Sequence, residues 1–414
     1  MKKGKFLIRR ECRFCSSKKL VKIIDMGPMP LAGDYLLKKN IGKEKYYPLR
    51  IYFSQKCSLV QVLDVIAPNI LFNDYRYLSS VGLKAHFKSY ADEMVKGFLK
   101  KGDFIVEIGS NDGVLLLPLK LLGMDVLGID PAKNVAKIAE KKGVQTIVDY
   151  FGVKISKSIL TIKGKAEAIL ANNVLAHIDN VNDVFKGIKL LLKPEGILVF
   201  EVQYLLDLIN SLQYDFFYNE HLSYYTIVSL NPLMEKYDME IFDVKKIPIH
   251  SGSIRVYVKF KNNIKLNIKS SVKKLLDIEK GNEVLNEKDL KKFAVKVGKH
   301  KISLVNYLVK LKRKGERIVG YGASGRGNVL LNYCGITNNY IDYIVDESPE
   351  RYGRFTPGTH IPIVKPEVFR KDKVKYCLLL AWNYKDMILS KEKEFVKKGG
   401  KFILPLPRIR LIPK

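Results

Sequence analysis

DFIVEIGSNDGVLLLPLKLLGMDVLGIDPA, residues 103–132, decides the fold. Phe104 to Ile108 is an apolar run of strand length, Gly109 to Gly113 is a glycine-bounded turn, and the leucine-rich stretch that follows reads as a helix. Asp112 is placed to cap that helix. A second strand, MDVLGID, ends at Asp130, with Pro131 and Ala132 opening the next turn. Gly109 and Gly113 let backbone pass close to a ligand. An acid about 20 residues on, at a strand tip, suits the two hydroxyls of a ribose. The unit is a nucleoside-binding βαβ. Its loop, G-S-N-D-G, places Ser110 and Asn111 where a dinucleotide fingerprint needs room for a pyrophosphate, and Glu107 ends the first strand with negative charge. An acid there disfavours phosphate and suits a cation, so the pattern favours S-adenosylmethionine over NAD.

The strand and helix alternation continues through AEAILANNVLAHIDNVNDVFKGIKLLLKPEGILVFEV. A strand over 166–171 ends at Asn172 and Asn173, a helix follows over about 181–193, and Pro194-Glu195-Gly196 turns into a strand over 197–202. The donor-site candidates are therefore Glu107, Gly109, Asn111, Asp112, Asp130, Asn172 and Asn173. His177 is either a loop histidine or part of the site. His250 and Ser253 fall at the expected last hairpin of this region.

With 414 residues, 47% of them apolar, the chain has the size for two or three domains with sizeable cores. Three regions separate: 1–72, 73–262 and 263–414. No apolar run reaches the roughly 18 residues of a membrane span. The basic start, MKKGKFLIRRE, lacks the apolar middle of a secretory signal. Five cysteines, two of them three apart, fit a reducing cytoplasm with a metal site rather than a disulfide framework. The formal net charge of +30 raises nucleic acid as a partner. However, the lysines are scattered, with no basic tail and no strand of interleaved aromatics. Solvated lysine faces that help attract an anionic small substrate are the better reading, with neither nucleic acid nor membrane as partner.

In the last region, SVKKLLDIEK and HKISLVNYLVKLKRKGE carry helical spacing. RIVGYGASGRGNVLLNYCGI then repeats strand, glycine loop and helix. Gly320, Gly322 and Gly325 fit G-x-G-x-x-G, and Asp346 ends the next strand, which supports NAD-linked oxidation as a rival. His360 and the pair Trp382-Asn383 fall on loops there, and Cys334 and Cys377 read as core thiols. One further stretch stands out: YDFFYNEHLSYYT, residues 214–226, sets a Glu-His pair among aromatics.

Taken in order, C-x-x-C near the start, DMGPMPLAGDYL, YRYLSS, EIGSNDGVLL, GIDPAKNVA, NNVLAHIDN, YNEHLSYY, HSGSIRVYV, GYGASGRGN, DESPERYGRFTPGTHIPI and LAWNYKDMI resemble the three-domain sugar C-methyltransferases, which act on nucleotide-linked 4-keto-deoxysugars. The resemblance spans nearly the whole chain. It implies an α/β architecture: a class I methyltransferase Rossmann-like domain over 73–262, a small zinc-ribbon-like domain over 1–72 and a second Rossmann-like domain over 263–414, with the sugar nucleotide between the last two. The family's Tyr-His-Glu-His segment falls on Tyr218, Asn219, Glu220 and His221, so Asn219 replaces its first histidine. His221 is implied as the base, with Glu220, Tyr218 and either Tyr75 or Tyr77 as further catalytic residues. Tyr321, Arg326 and Asn328 are the substrate-facing candidates, with Arg326 beside loop amides suited to a phosphate. Cys12, Cys15 and Cys57 are implied as ligands of a structural zinc, while Ser54 stands where the family has a fourth cysteine, which leaves water or an acid such as Glu11 as the fourth donor.

Such chemistry explains the Glu-His pair. A C–H proton becomes acidic beside a carbonyl, a base removes it, and the enolate attacks the sulfonium methyl. This requires a histidine base, an acid and hydroxyl donors for the enolate oxygen. O-Methylation of a sugar or other small alcohol is the other enzymatic alternative and needs no enolisable ketone. A basic nucleic-acid-binding module is the non-enzymatic one.

Overall fold

The computed structural model describes residues 6–72, 78–281 and 286–413. Two compact units form, each from separated stretches of chain: Met1–Leu20, Phe53–Leu205 and Leu222–Leu285 make the first, and Val21–Tyr52, Leu206–His221 and Asn286–Lys414 the second.

The main sheet of the first unit has seven strands: β1 (Phe104–Ile108), β2 (Asp125–Ile129), β3 (Thr146–Ile147), β4 (Ala166–Asn172), β5 (Leu192–Gln203), β6 (Met239–Ile247) and β7 (Ser253–Phe260). They lie in the order β3-β2-β1-β4-β5-β7-β6. β1 to β5 are mutually parallel, and β7 runs antiparallel to both neighbours. Continuous apolar runs such as FIVEI and AEAILAN are what a sheet covered on both faces requires. The order reverses between β1 and β4, so a crevice opens at their carboxyl ends.

Helix α1 (Ser80–Gly97) leaves helical geometry at Val81 and Gly82 and buries Phe87, Tyr90, Ala91 and Met94. That three-to-four spacing puts one face on Ile105, Leu170, Val199 and Tyr257 of the sheet. Helix α2 (Leu116–Leu121) has Leu115 at its N-cap with no side-chain cap. Asp112, expected to cap it, instead pairs with Lys142 at 3.0 Å. α3 (Val181–Leu191) starts at Asn180, whose side chain accepts from Asp183 N. The expected Pro194-Glu195-Gly196 turn is a pairing shift inside β5, between Leu192 and Ile197. α4 (Ile227–Glu235) begins with a Thr226–Ser229 capping box. Its first two amides donate to the buried Glu279 carboxylate at 2.8 and 2.9 Å, supplied by α5 (Ser270–Gly281).

The second unit carries β8 (Ile318–Tyr321), β9 (Ile344–Val345), β10 (Ile363–Val364), β11 (Tyr376–Leu379), β12 (Lys401–Leu404) and β13 (Arg410–Ile412) in the order β10-β9-β8-β11-β12-β13, parallel except for the last pair. α6 (Glu287–Arg313) buries Leu290, Phe293, Val297, His300, Leu304, Leu308 and Leu311, one helical stripe. α7 (Gly325–Cys334) is capped by Ser324, which accepts from Gly327 N. Two Rossmann-like sheets in one α/β chain match the fold class read from the sequence. No helix among the described residues is long and apolar enough to cross a membrane.

Candidate functional site

The glycine loop of the first unit leaves β1 at Glu107. Gly109, Asn111 and Gly113 all have positive φ, at 69°, 48° and 74°. A Cβ at Gly109 would come within 2.7 Å of Val174, so only glycine fits there. Each oxygen of Asp130 accepts one backbone amide, from Ala132 and from Asn111, both at 2.9 Å. A second lone pair remains on each oxygen. Asn111 Oδ1 accepts from Ser79 N. Across the strand-order reversal, Asn172 Nδ2 donates to Glu107 Oε1 at 3.0 Å. Asn173 has a positive φ and ties its amide to the Glu201 carbonyl.

Glu107 is only 3% exposed. Burial, followed by the neighbouring carboxylates of Asp130, Glu201 and Asp112, pushes its carboxyl up to about 8 despite the bond from Asn172. Glu107 Oε2 and Asn172 Oδ1 are buried with no hydrogen-bond partner among the described residues. The loop thus supplies acceptors and an uncompensated carboxyl group, a chemistry suited to ribose hydroxyls and, once Glu107 ionises, to a cation. His177 lies edge-on to Phe72, and His250 sits in the tight turn between β6 and β7.

The same unit holds the three N-terminal thiols. Sγ atoms of Cys12, Cys15 and Cys57 lie within 4.8 Å of one another. Two turns of the same form present them. Ser16 N bonds Cys12 O and Ser58 N bonds Ser54 O, both at 2.9 Å, and Ser16 and Ser58 share the left-handed conformation. Ser54 therefore occupies in the second turn the place Cys12 has in the first. Its Oγ is 3.4 Å from Cys57 Sγ and 3.6 Å from Cys15 Sγ, and Cys12 and Cys57 are 3.5 Å apart. Tetrahedral zinc with ordinary Zn–S and Zn–O bonds sets such separations at about 3.6–3.8 Å. The four side chains fit a zinc ion with three thiolates and one oxygen.

In the second unit, the aromatic segment holds its histidine tightly. His221 is 3% exposed. Its Nε2 meets the Tyr218 hydroxyl at 2.9 Å, and its ring packs on Tyr218 and Phe216. Burial pushes the neighbouring Glu220 carboxyl up to about 7. Asn219 Nδ2 donates to Pro48 O. Tyr75 and Tyr77 lie outside the described residues.

The three substrate-facing candidates make internal bonds. Arg326 forms a fork with Asp215 at 2.9 and 3.0 Å, reaches Gln213, and lies between the rings of Phe216 and Trp382. Trp382 Nε1 donates to the same carboxylate at 2.8 Å. Tyr321 is buried and bonds Glu392 at 3.0 Å. Asn328 donates to Ala32 O at 2.5 Å. Asp346 accepts Ala323 N, Ser348 N and the Arg351 guanidinium. The acid an NAD site would use is thus covered by a cation of its own loop, a departure from what the glycine fingerprint suggests. His360 pairs with Glu44.

Glu201, which no sequence motif singles out, is fully buried between His86 and Arg255. The signal was present: LVFEV places an acid inside an apolar strand just as FIVEI does.

Three family models match in order along the chain: a "Putative zinc binding domain" over residues 12–72, a "Methyltransferase domain" over 84–244 and a "C-methyltransferase C-terminal domain" over 248–407. The C-methyltransferase NovU of Streptomyces niveus is 33% identical over 406 residues, covering 97% of this chain and 96% of its own. The ubiquinone biosynthesis O-methyltransferase of Bordetella avium (strain 197N) is 28% identical over 98 residues, covering 23% of this chain and 41% of its own. The crystal structure of magnesium protoporphyrin IX methyltransferase from Synechocystis PCC 6803 with bound SAM aligns over 43% of this chain and 80% of its own, at 14% identity and a TM-score of 0.33.

Proposed function

The chain belongs to the three-domain family of S-adenosylmethionine-dependent C-methyltransferases, and from that premise we propose that it methylates a carbon beside the ketone of a nucleotide-linked keto-deoxysugar through a base-generated enolate. In this reading residues 1–72 are the metal-binding part, 73–262 carry the methyl donor and 263–414 serve the sugar nucleotide. Glu107, Gly109, Asn111, Asp112, Asp130, Asn172 and Asn173 hold the donor. Cys12, Cys15 and Cys57, with Ser54, hold a structural zinc.

One observation carries the base chemistry: the Tyr218 hydroxyl lies 2.9 Å from His221 Nε2, one residue from a carboxyl raised to about 7. A hydroxyl beside the ring nitrogen can turn to a substrate oxygen and so leave Nε2 open to accept a proton. A carboxyl poised near neutrality can accept or return one at working pH. His221 takes the C–H proton, Glu220 orients the sugar or assists the transfer, and Tyr218 stabilises the enolate oxygen. The donor's sulfonium supplies the activated methyl group.

Solvent exchange tests this. Incubated in D2O with a nucleotide-linked 4-keto-deoxysugar, the wild-type protein should place deuterium on the carbon beside the ketone even without donor, and His221→Asn should not. Methyl transfer to a hydroxyl with no such exchange would sink the enolate and leave O-methylation standing.

A further inference from the structure

Four adjacent strands of the first unit each send one polar side chain to the same face of the sheet. Glu201 of β5 is in register with Asn172 of β4 and Arg255 of β7, and Glu107 of β1 with Leu170, two residues before Asn172. Strand alternation puts all four on one side. α1 covers this row with His86, Tyr90 and Glu93, spaced i, i+4 and i+7 on one helical face. His86 Nε2 lies 2.9 and 3.0 Å from the Glu201 oxygens. Arg255 grips Glu201 from the other side at 2.6 and 2.8 Å, bonds Glu93 at 3.0 Å and lies 3.5 Å over the Tyr90 ring.

Along this row, Glu107 Oε2, Asn172 Oδ1 and the Tyr90 hydroxyl are all buried without a hydrogen-bond partner among the described residues. Native interiors leave few such atoms, and a group of them marks a place for something else. The charge is also unbalanced there. Arg255 answers Glu201 and Glu93, and Lys142 answers Asp112. Among the described residues Glu107 has one hydrogen bond, from neutral Asn172. The titratable groups facing Glu107 are Tyr90 from α1, Asp112 from the loop after β1, Asp130 from the end of β2 and Glu201 from β5.

We propose that Glu201 is a positioning residue of the methyl-donor site that acts through Glu107: held in place by His86 and Arg255, it adds to the burial and to the Asp130 carboxylate that keep a proton on the Glu107 carboxyl in the free protein, and the cationic donor drives that proton into solvent when it binds. The inference rests on the donor site proposed above. The carboxylic acid of Glu107 becomes a carboxylate, and the donor's positive charge replaces the lost proton. At pH 7 a carboxyl raised to about 8 is about nine-tenths protonated, so nearly one proton should leave for each donor bound.

Calorimetric titration of the full chain with S-adenosylmethionine, in two buffers of different ionisation enthalpy, counts that proton. Wild type should release close to one at pH 7, with release fading above about pH 8, and Glu107→Gln should release none. Glu201→Gln removes a facing charge and should move the midpoint of release to lower pH. His86→Ala withdraws a hydrogen bond from Glu201 without stranding a buried charge and should move it to higher pH, which keeps the idea testable if Glu201→Gln fails to fold. Tight binding with no proton released, release undiminished in Glu107→Gln, or a midpoint unmoved in both remaining variants would overturn the proposal. Wild-type protein that does not bind S-adenosylmethionine at all would sink the donor site itself, a visibly different result.

Discussion

Glu107 in an unfolded chain loses its proton near 4.5, whereas burial beside three other carboxylates holds it on until about 8 in the folded one. Between those values the folded state binds more protons than the unfolded, so stability falls as pH rises through that window and levels off above it. Glu107→Gln should abolish that decline. The wild-type and variant unfolding free energies should diverge from pH 5 to pH 8 by an amount on the order of a few kcal/mol, read from denaturant titrations. Arg326 makes the opposite lesson concrete. Beside a glycine loop it reads as a phosphate ligand, yet its partner is Asp215, 111 residues earlier. A pairing across that separation leaves no trace in local spacing. With side chains 11% and 1% exposed, breaking the pair should be expensive. Arg326→Ala should cost about 3–5 kcal/mol by stranding a buried carboxylate. A guanidinium serving only a substrate phosphate would instead change KM and leave the melting temperature alone.

The paired turns around Cys12 and Ser54 show how far an element can be read ahead of its geometry. C-x-x-C spacing disclosed the first turn, and the resemblance marked Ser54 as a departure. That Ser54 still stands at the corner equivalent to that of Cys12 follows from the matched backbone at Ser16 and Ser58, which residue spacing does not encode. Cobalt loading checks the arrangement without any assay of turnover. Wild type should give the spectrum of three thiolates and one oxygen, and Ser54→Cys should add thiolate-to-cobalt absorption and hold the metal more tightly against a chelator. Absence of any bound metal in both proteins would remove the site. Helix α4 offers a second case. Its Thr226 capping box is local, but the carboxylate seated on its first two amides is Glu279, 52 residues downstream from Ile227. Glu279→Ala should destabilise the protein by about 1–2 kcal/mol, read as a shift in denaturant midpoint.

For the molecule as a whole, both glycine loops, the strand and helix alternation and the helical stripe of residues 287–313 were legible because each is a short-range pattern. The seam of Glu201, His86 and Arg255 was not, since it joins α1 to two strands more than 100 residues away. Nor was the interleaving of the two units, for nothing in residues 21–52 announces that they pack with the chain's last third. That interleaving governs how the molecule is born. Residues 21–52 leave the ribosome more than two hundred residues before the stretch from Asn286 onward that completes their unit. At ordinary translation speeds this is a wait of roughly ten to fifty seconds. Through that interval the nascent chain carries early segments with no finished neighbour to receive them, and a holding chaperone or slow synthesis there would decide how much of each cell's output matures.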